Sequence, residues 1–152
     1  MKNVLVLGNA GYLGSVMTGY LLQAGFKVTG LDNLIYRNGA AIAGYLGSPN
    51  FEFHRGDVCD TSLLKALMKD ADVIIPLAAI VGAPACELAP FVSTAVNYSS
   101  IKTMVRLASQ NQRVLFPMTN SGYGQTDGKT ACVETDPLNP CSLYGKTKCD
   151  AE

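Results

Sequence analysis

The sequence lacks a net charge, because its 12 Lys and Arg residues balance its 12 Asp and Glu residues. A protein without net charge has no overall electrostatic attraction for polyanions, so we expect neither a nucleic-acid partner nor binding to anionic lipid. Long hydrophobic runs are also missing. The apolar run near the N-terminus spans only Val4–Leu7, which is too short for a signal peptide or a membrane span. Small molecules are therefore the expected partners.

Cysteines at metal-binding or disulfide spacings are missing as well. The five cysteines are odd in number, widely spaced and free of any C-x-x-C pair, so we expect neither a disulfide framework nor a metal site. This pattern fits the reducing cytoplasm. The single histidine, His54, lies in the third predicted strand, where a packed or edge position is expected rather than a catalytic one. Length and composition favour one globular domain.

Short apolar runs alternate with helix-length segments along the chain. The runs typical of buried parallel strands are Asn3–Leu7, Phe26–Leu31, Phe51–Arg55, Val73–Leu77 and Val114–Met118. Helical patterns occupy Tyr12–Ala24, Ile42–Leu46, Thr61–Lys69 and Phe91–Ser109, and a last helix begins near Ser142. This order predicts right-handed βαβ crossovers and hence an α/β fold with a doubly wound parallel sheet.

The C-terminal part of the sequence predicts a truncated sheet. The helix that begins near Ser142 runs to the last residue, Glu152, whereas a further strand normally follows such a helix in a doubly wound fold. We expect the last strands and a C-terminal substrate region to be absent. The polar stretch Gly124–Pro140 is longer than an ordinary connection and is a candidate substrate loop.

A glycine-rich turn follows the first strand directly and leads into a helix. Its sequence is Gly8-Asn9-Ala10-Gly11-Tyr12-Leu13-Gly14. The first glycine permits a tight turn, the second lets the backbone approach a pyrophosphate, and the third lets helix and strand pack closely. The motif favours a dinucleotide site, and the alternative is an ordinary glycine-rich connection.

Acidic residues follow the next two strands. Asp32 lies roughly 20 residues beyond Gly14, the spacing of a carboxylate that binds the adenosine ribose and repels a 2′-phosphate. It predicts NAD rather than NADP, although Arg37 lies close enough to complicate this choice, and a turn aspartate is the alternative. Asp57 is a candidate for the adenine amino group, but either Asp57 or Asp60 could instead cap a helix.

Two further segments have candidate roles. In Leu77-Ala78-Ala79, small side chains would let the backbone lie close to a cofactor, with core packing as the alternative. Tyr144 and Lys148 stand one helical turn apart and share a helix face, and a solvated helix that carries this common spacing by chance is the alternative. A phenol titrates near ~10, so it needs a nearby cation to act as a base at neutral pH. Thr119, at a strand end, could bind the same substrate oxygen, and turn chemistry is its alternative.

The combination of motifs resembles the extended short-chain dehydrogenase/reductases, which include UDP-galactose 4-epimerase and sugar-nucleotide dehydratases. The resemblance covers the whole chain. It is carried by Gly8-x-x-Gly11-x-x-Gly14, Asp32-Asn33-Leu34, Gly56-Asp57-Val58, Leu77-Ala78-Ala79, Asn97, Thr119-Asn120-Ser121-Gly122-Tyr123-Gly124, and Pro140-Cys141-Ser142-Leu143-Tyr144-Gly145-x-x-Lys148-x-x-x-Glu152.

This resemblance implies an NAD-binding Rossmann domain over residues 1–152, a nucleotide-linked sugar as substrate and a possible homodimer formed through helices like Phe91–Ser109. Tyr144 would be base and acid, Thr119 its hydroxyl partner, and Lys148 bound to the nicotinamide ribose. The implied cofactor contacts are Gly8, Gly11, Tyr12, Leu13, Gly14, Asp32, Asn33, Asp57, Val58, Leu77, Ala78, Ala79, Asn97, Tyr144 and Lys148.

Departures from the family pattern narrow the expected reaction. Dehydratases of this family usually carry Asp-Glu after the threonine, because elimination of water needs a carboxyl acid and base. Asn120 and Ser121 stand there instead. We therefore expect an NAD-dependent epimerase that oxidises its sugar transiently to a keto-sugar. The alternatives are a reductase or dehydratase and, from another class, a non-catalytic NAD-binding sensor. Pro76 replaces a histidine that is often found before Leu-Ala-Ala, without an expected consequence.

Overall fold

A computed structural model describes residues 1–125, 128 and 131–152. Within these residues, five strands form one parallel sheet in the order β3-β2-β1-β4-β5. The strands are β1 (Asn3–Leu7), β2 (Lys27–Asp32), β3 (Phe51–Arg55), β4 (Val73–Pro76) and β5 (Arg113–Val114). The helices are α1 (Tyr12–Gln23), α2 (Thr61–Met68), α3 (Ala83–Leu88), α4 (Pro90–Thr94), α5 (Ser100–Leu107) and α6 (Leu143–Ala151). The predicted α/β fold with a parallel sheet is confirmed.

The central strand β1 lies where the strand order reverses. It pairs with β2 from Asn3 opposite Lys27 to Leu7 opposite Leu31, and with β4 up to Leu7 opposite Pro76. In doubly wound sheets, ligands bind beyond the carboxyl ends of the strands at this reversal. The glycine turn that follows β1 therefore occupies the position where a nucleotide site is expected.

The sheet core forms because both faces of its central strands are covered. Val4, Leu5, Val6 and Leu7 have at most 2% of their surface exposed, so β1 reads as a continuous apolar run rather than as an alternating one. Side chains from α1 and the 3₁₀ helix Gly39–Tyr45 cover one face. This packing holds the C-terminal end of β1 in place beneath the glycine turn.

The last strand differs from its predicted bounds of Val114–Met118, since β5 comprises only Arg113–Val114. The N–H of Leu115 donates to the carbonyl oxygen of Ile74 at 2.9 Å, so alternate residues of β4 face β5. The next position with this orientation is Pro76, which has no N–H to donate. Pro117, two residues beyond Leu115, also has no N–H to donate, so each of the two paired segments has a proline where this ladder ends.

The helical segment predicted over Phe91–Ser109 is interrupted. Between α4 and α5, residues Ala95–Ser99 form a π-helical turn that contains the buried Asn97. Such turns often occur at functional sites. The sequence pattern also missed α3, in which Pro84 is tolerated because it lies in the first helical turn.

The chain divides into two compact units. The first comprises Met1–Ala78 and Thr103–Phe116 and contains the sheet, while the second comprises Ala79–Lys102 and Pro117–Glu152. In the second unit, α6 packs against α3, α4, the π-helical turn and a 3₁₀ turn at Asn120–Gly122. The candidate substrate loop Gly124–Pro140 includes residues 126, 127, 129 and 130, which lie outside the described residues.

Neither a membrane helix nor a metal-binding cluster occurs in the described part of the chain. None of its helices has the length and apolar content to cross a bilayer. The same residues contain no group of three His, Cys, Asp or Glu side chains that could hold a metal ion.

Candidate functional site

The glycine turn of the first unit is shaped by contacts that exclude side chains. Gly8 has a φ of 81°, and a Cβ there would lie 2.6 Å from the backbone nitrogen of Ala78. A Cβ on Gly14 would lie 2.2 Å from the carbonyl oxygen of Gly8. Both positions therefore require glycine. The constraint on Gly11 is milder, since its Cβ would stand 3.2 Å from the same oxygen.

The N-terminus of α1 is open to an anion. Its N-cap, Gly11, has no side chain to bond the first amides of the helix. These N–H groups have no acceptor within a helix, and the helix dipole adds partial positive charge to them. The N–H groups of Tyr12 and Leu13 belong to this set. The turn thus combines close backbone approach with anion-binding amides, which fits the pyrophosphate of a dinucleotide.

Asp32 is anchored to the glycine turn by its carboxylate. One oxygen accepts the N–H of Ala10 at 3.1 Å and the other accepts the N–H of Leu34 at 2.8 Å. Asn38 donates its side-chain amide to the carbonyl oxygen of Ala10 at 2.6 Å. Both backbone groups of Ala10, its N–H and its carbonyl oxygen, are therefore hydrogen-bonded to side chains. No motif in the sequence indicates Asn38, because its role depends on the loop after β2 folding back over the glycine turn.

The loop after β2 also reaches the loop after β3. The Asn33 side chain donates to the Asp57 carboxylate at 3.0 Å. Burial opposes ionisation of Asp57, but hydrogen bonds from the N–H of Cys59 and from Asn33 outweigh it and lower the pKa of this carboxyl. Asp60, in contrast, caps α2 by accepting the N–H groups of Ser62 and Leu63, both at 3.0 Å. The cap of α2 is therefore Asp60, and the adenine contact predicted for Asp57 stays a prediction.

In the second unit, α6 presents Tyr144 and Lys148 one turn apart. The helix begins at its N-cap Ser142, whose hydroxyl accepts the N–H of Gly145 at 3.1 Å. Lys148 is 6% exposed. Burial lowers the pKa of its ammonium to about 8, because the charged form loses hydration.

The Thr119 hydroxyl influences the ionisation of Tyr144. Burial raises the pKa of the Tyr144 phenol, and negative charge at Cys86 would raise it further, while the hydrogen bond from the Thr119 hydroxyl opposes both. Thr119 caps the 3₁₀ turn at Asn120–Gly122 and also contacts Ser121, with 3.3 Å between the two hydroxyl oxygens. We call Thr119, Ser121, Tyr144 and Lys148 the hydroxyl–lysine cluster.

The side-chain amide of Asn97 joins several backbone segments of the second unit. Its oxygen accepts the N–H of Ile80 at 2.8 Å, and its nitrogen donates to the Ile80 carbonyl at 2.9 Å. The same nitrogen lies 3.4 Å from the hydroxyl of Thr147, which in turn donates to the carbonyl of Tyr144 at 3.0 Å. Asn97 thus ties the π-helical turn to α6. The cofactor contact predicted for Asn97 stays a prediction.

Comparisons with known proteins agree on the family and leave the reaction open. Residues 4–152 match the model of the NAD dependent epimerase/dehydratase family. The low-salt glycan biosynthesis protein Agl12 of Haloferax volcanii is 39% identical over 160 residues, which is 99% of this chain and 49% of that protein. The chain therefore spans about half the length of the curated relatives it matches.

Two solved structures illustrate both reaction types. The dTDP-glucose 4,6-dehydratase DesIV of Streptomyces venezuelae, with NAD bound, is 29% identical with a TM-score of 0.90, over 98% of this chain and 49% of that one. The UDP-glucuronic acid 4-epimerase of Bacillus cereus, in complex with UDP-glucuronic acid and NAD, is 27% identical with a TM-score of 0.87, over the same shares.

Proposed function

The chain belongs to the NAD dependent epimerase/dehydratase family, and from this premise we propose that the protein is an NAD-dependent epimerase of a nucleotide-linked sugar. The observation that carries the proposal is the hydroxyl–lysine cluster, in which Thr119 bonds the phenol of Tyr144 one helical turn from Lys148. These groups suit proton transfer at a sugar hydroxyl during its oxidation.

The residues of the first unit fit NAD. A pyrophosphate would fit the turn at Gly8 and Gly14, where side chains are excluded, and the first amides of α1 at Tyr12 and Leu13. The ribose that follows it would fit the carboxylate of Asp32. We propose that Asn33, Asp57 and Val58 bind the adenosine end and that Lys148 binds the nicotinamide ribose. When bound, NAD supplies a hydride acceptor that also returns the hydride.

Tyr144 performs the proton transfers. As a phenolate it takes the proton of the sugar hydroxyl while that carbon is oxidised, and as a phenol it returns the proton to the keto-sugar. Because burial raises the pKa of the phenol in this chain, the phenolate needs support. We assign that support to the Thr119 hydroxyl and to the Lys148 ammonium. Lys148 is protonated at neutral pH, since its lowered pKa is still about 8.

The neutral residues after Thr119 favour an epimerase over a dehydratase. Asn120 is exposed and Ser121 partly exposed, and neither offers the carboxyl acid or base that eliminates water from a sugar. Net epimerisation follows if the keto-sugar rotates within the site, so that the hydride returns to the opposite face of the same carbon. We further propose that the whole protein forms a homodimer, to which the exposed Phe91 and Val105 would contribute apolar surface. Analytical ultracentrifugation checks this assembly.

Product analysis tests the proposed reaction. The full gene product, incubated with a panel of UDP-, dTDP- and GDP-hexoses, should convert one of them to its epimer as followed by proton NMR. Tyr144→Phe should abolish this conversion. A 4-keto-6-deoxy product would show a dehydratase instead, and a net consumption of NADH would show a reductase. Bound NAD without turnover of any nucleotide sugar would support the sensor alternative.

A further inference from the structure

The loop that follows β2 has a backbone conformation that residues other than glycine rarely adopt. Leu34 and Arg37 have φ angles of 58° and 55°, which lie in the left-handed region. Within the described part of the chain, they are the two non-glycine residues with a positive φ. Such conformations persist only where surrounding contacts hold them, and they occur often at functional sites. The shape of this loop therefore depends on the contacts at its two ends.

Hydrogen bonds hold the loop at both ends. At its start, the N–H of Leu34 donates to one oxygen of the Asp32 carboxylate at 2.8 Å, and the Leu34 side chain packs against the sheet core. The N–H of Arg37 donates to the carbonyl oxygen of Leu34 at 2.9 Å. At its end, the Asn38 amide donates to the carbonyl oxygen of Ala10 at 2.6 Å. Asn38 thus closes the loop onto the glycine turn, whose Ala10 N–H donates to the other oxygen of Asp32.

The amide oxygen of Asn38 indicates that stability is not the main contribution of this side chain. This oxygen is buried and has no hydrogen-bond partner among the described residues. Burial of an unpaired acceptor costs free energy, which offsets the bond that the amide nitrogen makes to Ala10. An unpaired buried group of this kind calls for an explanation outside stability. The connection of Asn38 to the carboxylate of Asp32, through the loop and through Ala10, supplies one.

We propose that Asn38 is a positioning residue for the adenosine ribose of NAD, which acts through Asp32 without contacting the ribose itself. Its bond to Ala10 keeps the loop in place, so the N–H groups of Leu34 and Ala10 each hold one carboxylate oxygen. Each oxygen keeps a lone pair for a ribose hydroxyl. Without this bond the loop relaxes toward ordinary backbone angles, the Leu34 N–H moves away, and the carboxylate is free to rotate. The inference rests on NAD binding in the proposed function.

The test compares NAD with 2′-deoxy-NAD, which has the same charge but lacks one hydroxyl of the adenosine ribose. Calorimetric titration of this chain with each cofactor gives the ratio of the two affinities. The ratio is measured in the parent, in Asn38→Ala and in Asn38→Asp, which keeps the shape of the side chain without its N–H groups. Partial unfolding or an added charge affects the binding of both cofactors alike, so the ratio isolates the contribution of the hydroxyl.

Asn3→Ala is the matched control. The Asn3 side chain also donates its amide to a backbone carbonyl, that of Asp70 at 2.8 Å, but it lies at the first residue of β1, at the opposite end of the strand from the glycine turn. Asn38→Ala is also measured in an Asp32→Ala background, which shows whether Asn38 acts through the carboxylate. Hydrogen exchange of the Leu34 amide, followed by NMR without cofactor, reports on the loop directly.

The parent should prefer NAD by about 10–100-fold, the effect of a hydrogen bond to a charged group. Both Asn38 variants should lower this ratio by at least about threefold, since hydrogen bonds weaken steeply once their geometry is lost. The Leu34 amide should exchange faster in both variants. Asn3→Ala should change neither quantity. In the Asp32→Ala background, Asn38→Ala should leave the ratio as it is.

An unchanged ratio or an unchanged Leu34 exchange rate in the Asn38 variants would overturn the inference. An equal loss in Asn3→Ala, a further loss in the Asp32→Ala background, or a parent that binds the two cofactors equally or not at all would do the same. The proposed reaction is judged separately. If the ratios change as expected while the full gene product epimerises no nucleotide sugar, the role of Asn38 stands and the reaction fails. If the full gene product epimerises a nucleotide sugar while the ratios stay unchanged, the reaction stands and the role of Asn38 fails.

Discussion

Gly145 and Ser121 are so close that a Cβ on residue 145 would stand 2.6 Å from the carbonyl oxygen of Ser121. The same Cβ would lie 3.0 Å from a side-chain carbon of Pro140. Backbone and ring atoms give way poorly, so this position has no room for a methyl group. The contact sets how closely the first turn of α6, with Tyr144, approaches the turn that carries Thr119.

We predict that Gly145→Ala destabilises the chain by about 1–2 kcal/mol. Alanine in a helix normally adds about 0.5–1 kcal/mol of stability over glycine, but overpacking at a rigid contact costs about 1–3 kcal/mol. Urea denaturation followed by circular dichroism measures the difference. Gly44→Ala is the control, since nothing lies within 4 Å of a Cβ at that helical position. A Gly145→Ala variant as stable as the control would show that the contact relaxes freely.

Asp32 should set the preference for NAD over NADP. Its carboxylate would repel a 2′-phosphate, so the chain should bind NAD more tightly in calorimetric titrations of both cofactors. Asp32→Asn removes the charge, keeps an oxygen for one of the two amides of Ala10 and Leu34, and should narrow the preference by about 1–3 kcal/mol. Asp60→Asn makes the same charge change at a helix cap and should leave the preference as it is. Tighter binding of NADP by the parent would contradict the assignment.

Tyr144→Phe and Lys148→Ala should differ in their effects on NAD binding and on turnover. Without its hydroxyl, residue 144 still packs, so NAD binding should persist while turnover falls by about 10²–10⁴-fold, the usual contribution of a general acid or base. Lys148→Ala should weaken both NAD binding and turnover, and raising the assay pH should restore part of its rate. Calorimetry and rate measurements on the two variants separate these patterns. Normal NAD binding in Lys148→Ala would disprove the ribose contact.

Burial of Lys148 should appear in the pH dependence of stability. The native ammonium titrates near 8 rather than at its ordinary value of 10.5, so the unfolded state binds more protons between these pH values. The parent should therefore gain stability relative to Lys148→Met as pH rises from 8 to 10.5, by about 2–3 kcal/mol. Parallel urea denaturations at pH 7 and pH 10.5 measure the change. A stability difference that does not vary with pH would show that the lysine titrates normally.

The sheet and the first site could be predicted from the sequence because they depend on local patterns. An apolar run such as Val4–Leu7 predicts a buried parallel strand, and glycines at fixed spacing predict a turn that excludes side chains. The predicted bounds of β5 were wrong, because Pro76 and Pro117 both lack the N–H groups that would have extended this ladder. The π-helical turn around Asn97 has no spacing signal at all.

Contacts between residues that lie far apart in the sequence could not be predicted from local patterns. Asn38 bonds Ala10 only because the loop after β2 folds back, and Ser121 meets Gly145 only because α6 packs on a turn far away in sequence. The motif predicted that Tyr144 and Lys148 lie one turn apart on a helix, but it could not predict the balance of burial and hydrogen bonding at the phenol. That balance depends on Thr119 and Cys86, which the chain brings in from separate elements.

The most direct test of the central claim, transient oxidation of a nucleotide-linked sugar at Tyr144, is a single-turnover measurement of the cofactor. The full gene product loaded with NAD is mixed rapidly with each nucleotide hexose while the absorption of NADH is recorded. We predict that one substrate produces an NADH signal that rises and then decays as its epimer forms, and that Tyr144→Phe produces none. The absence of any NADH signal with every nucleotide sugar, although NAD is bound, would contradict the account.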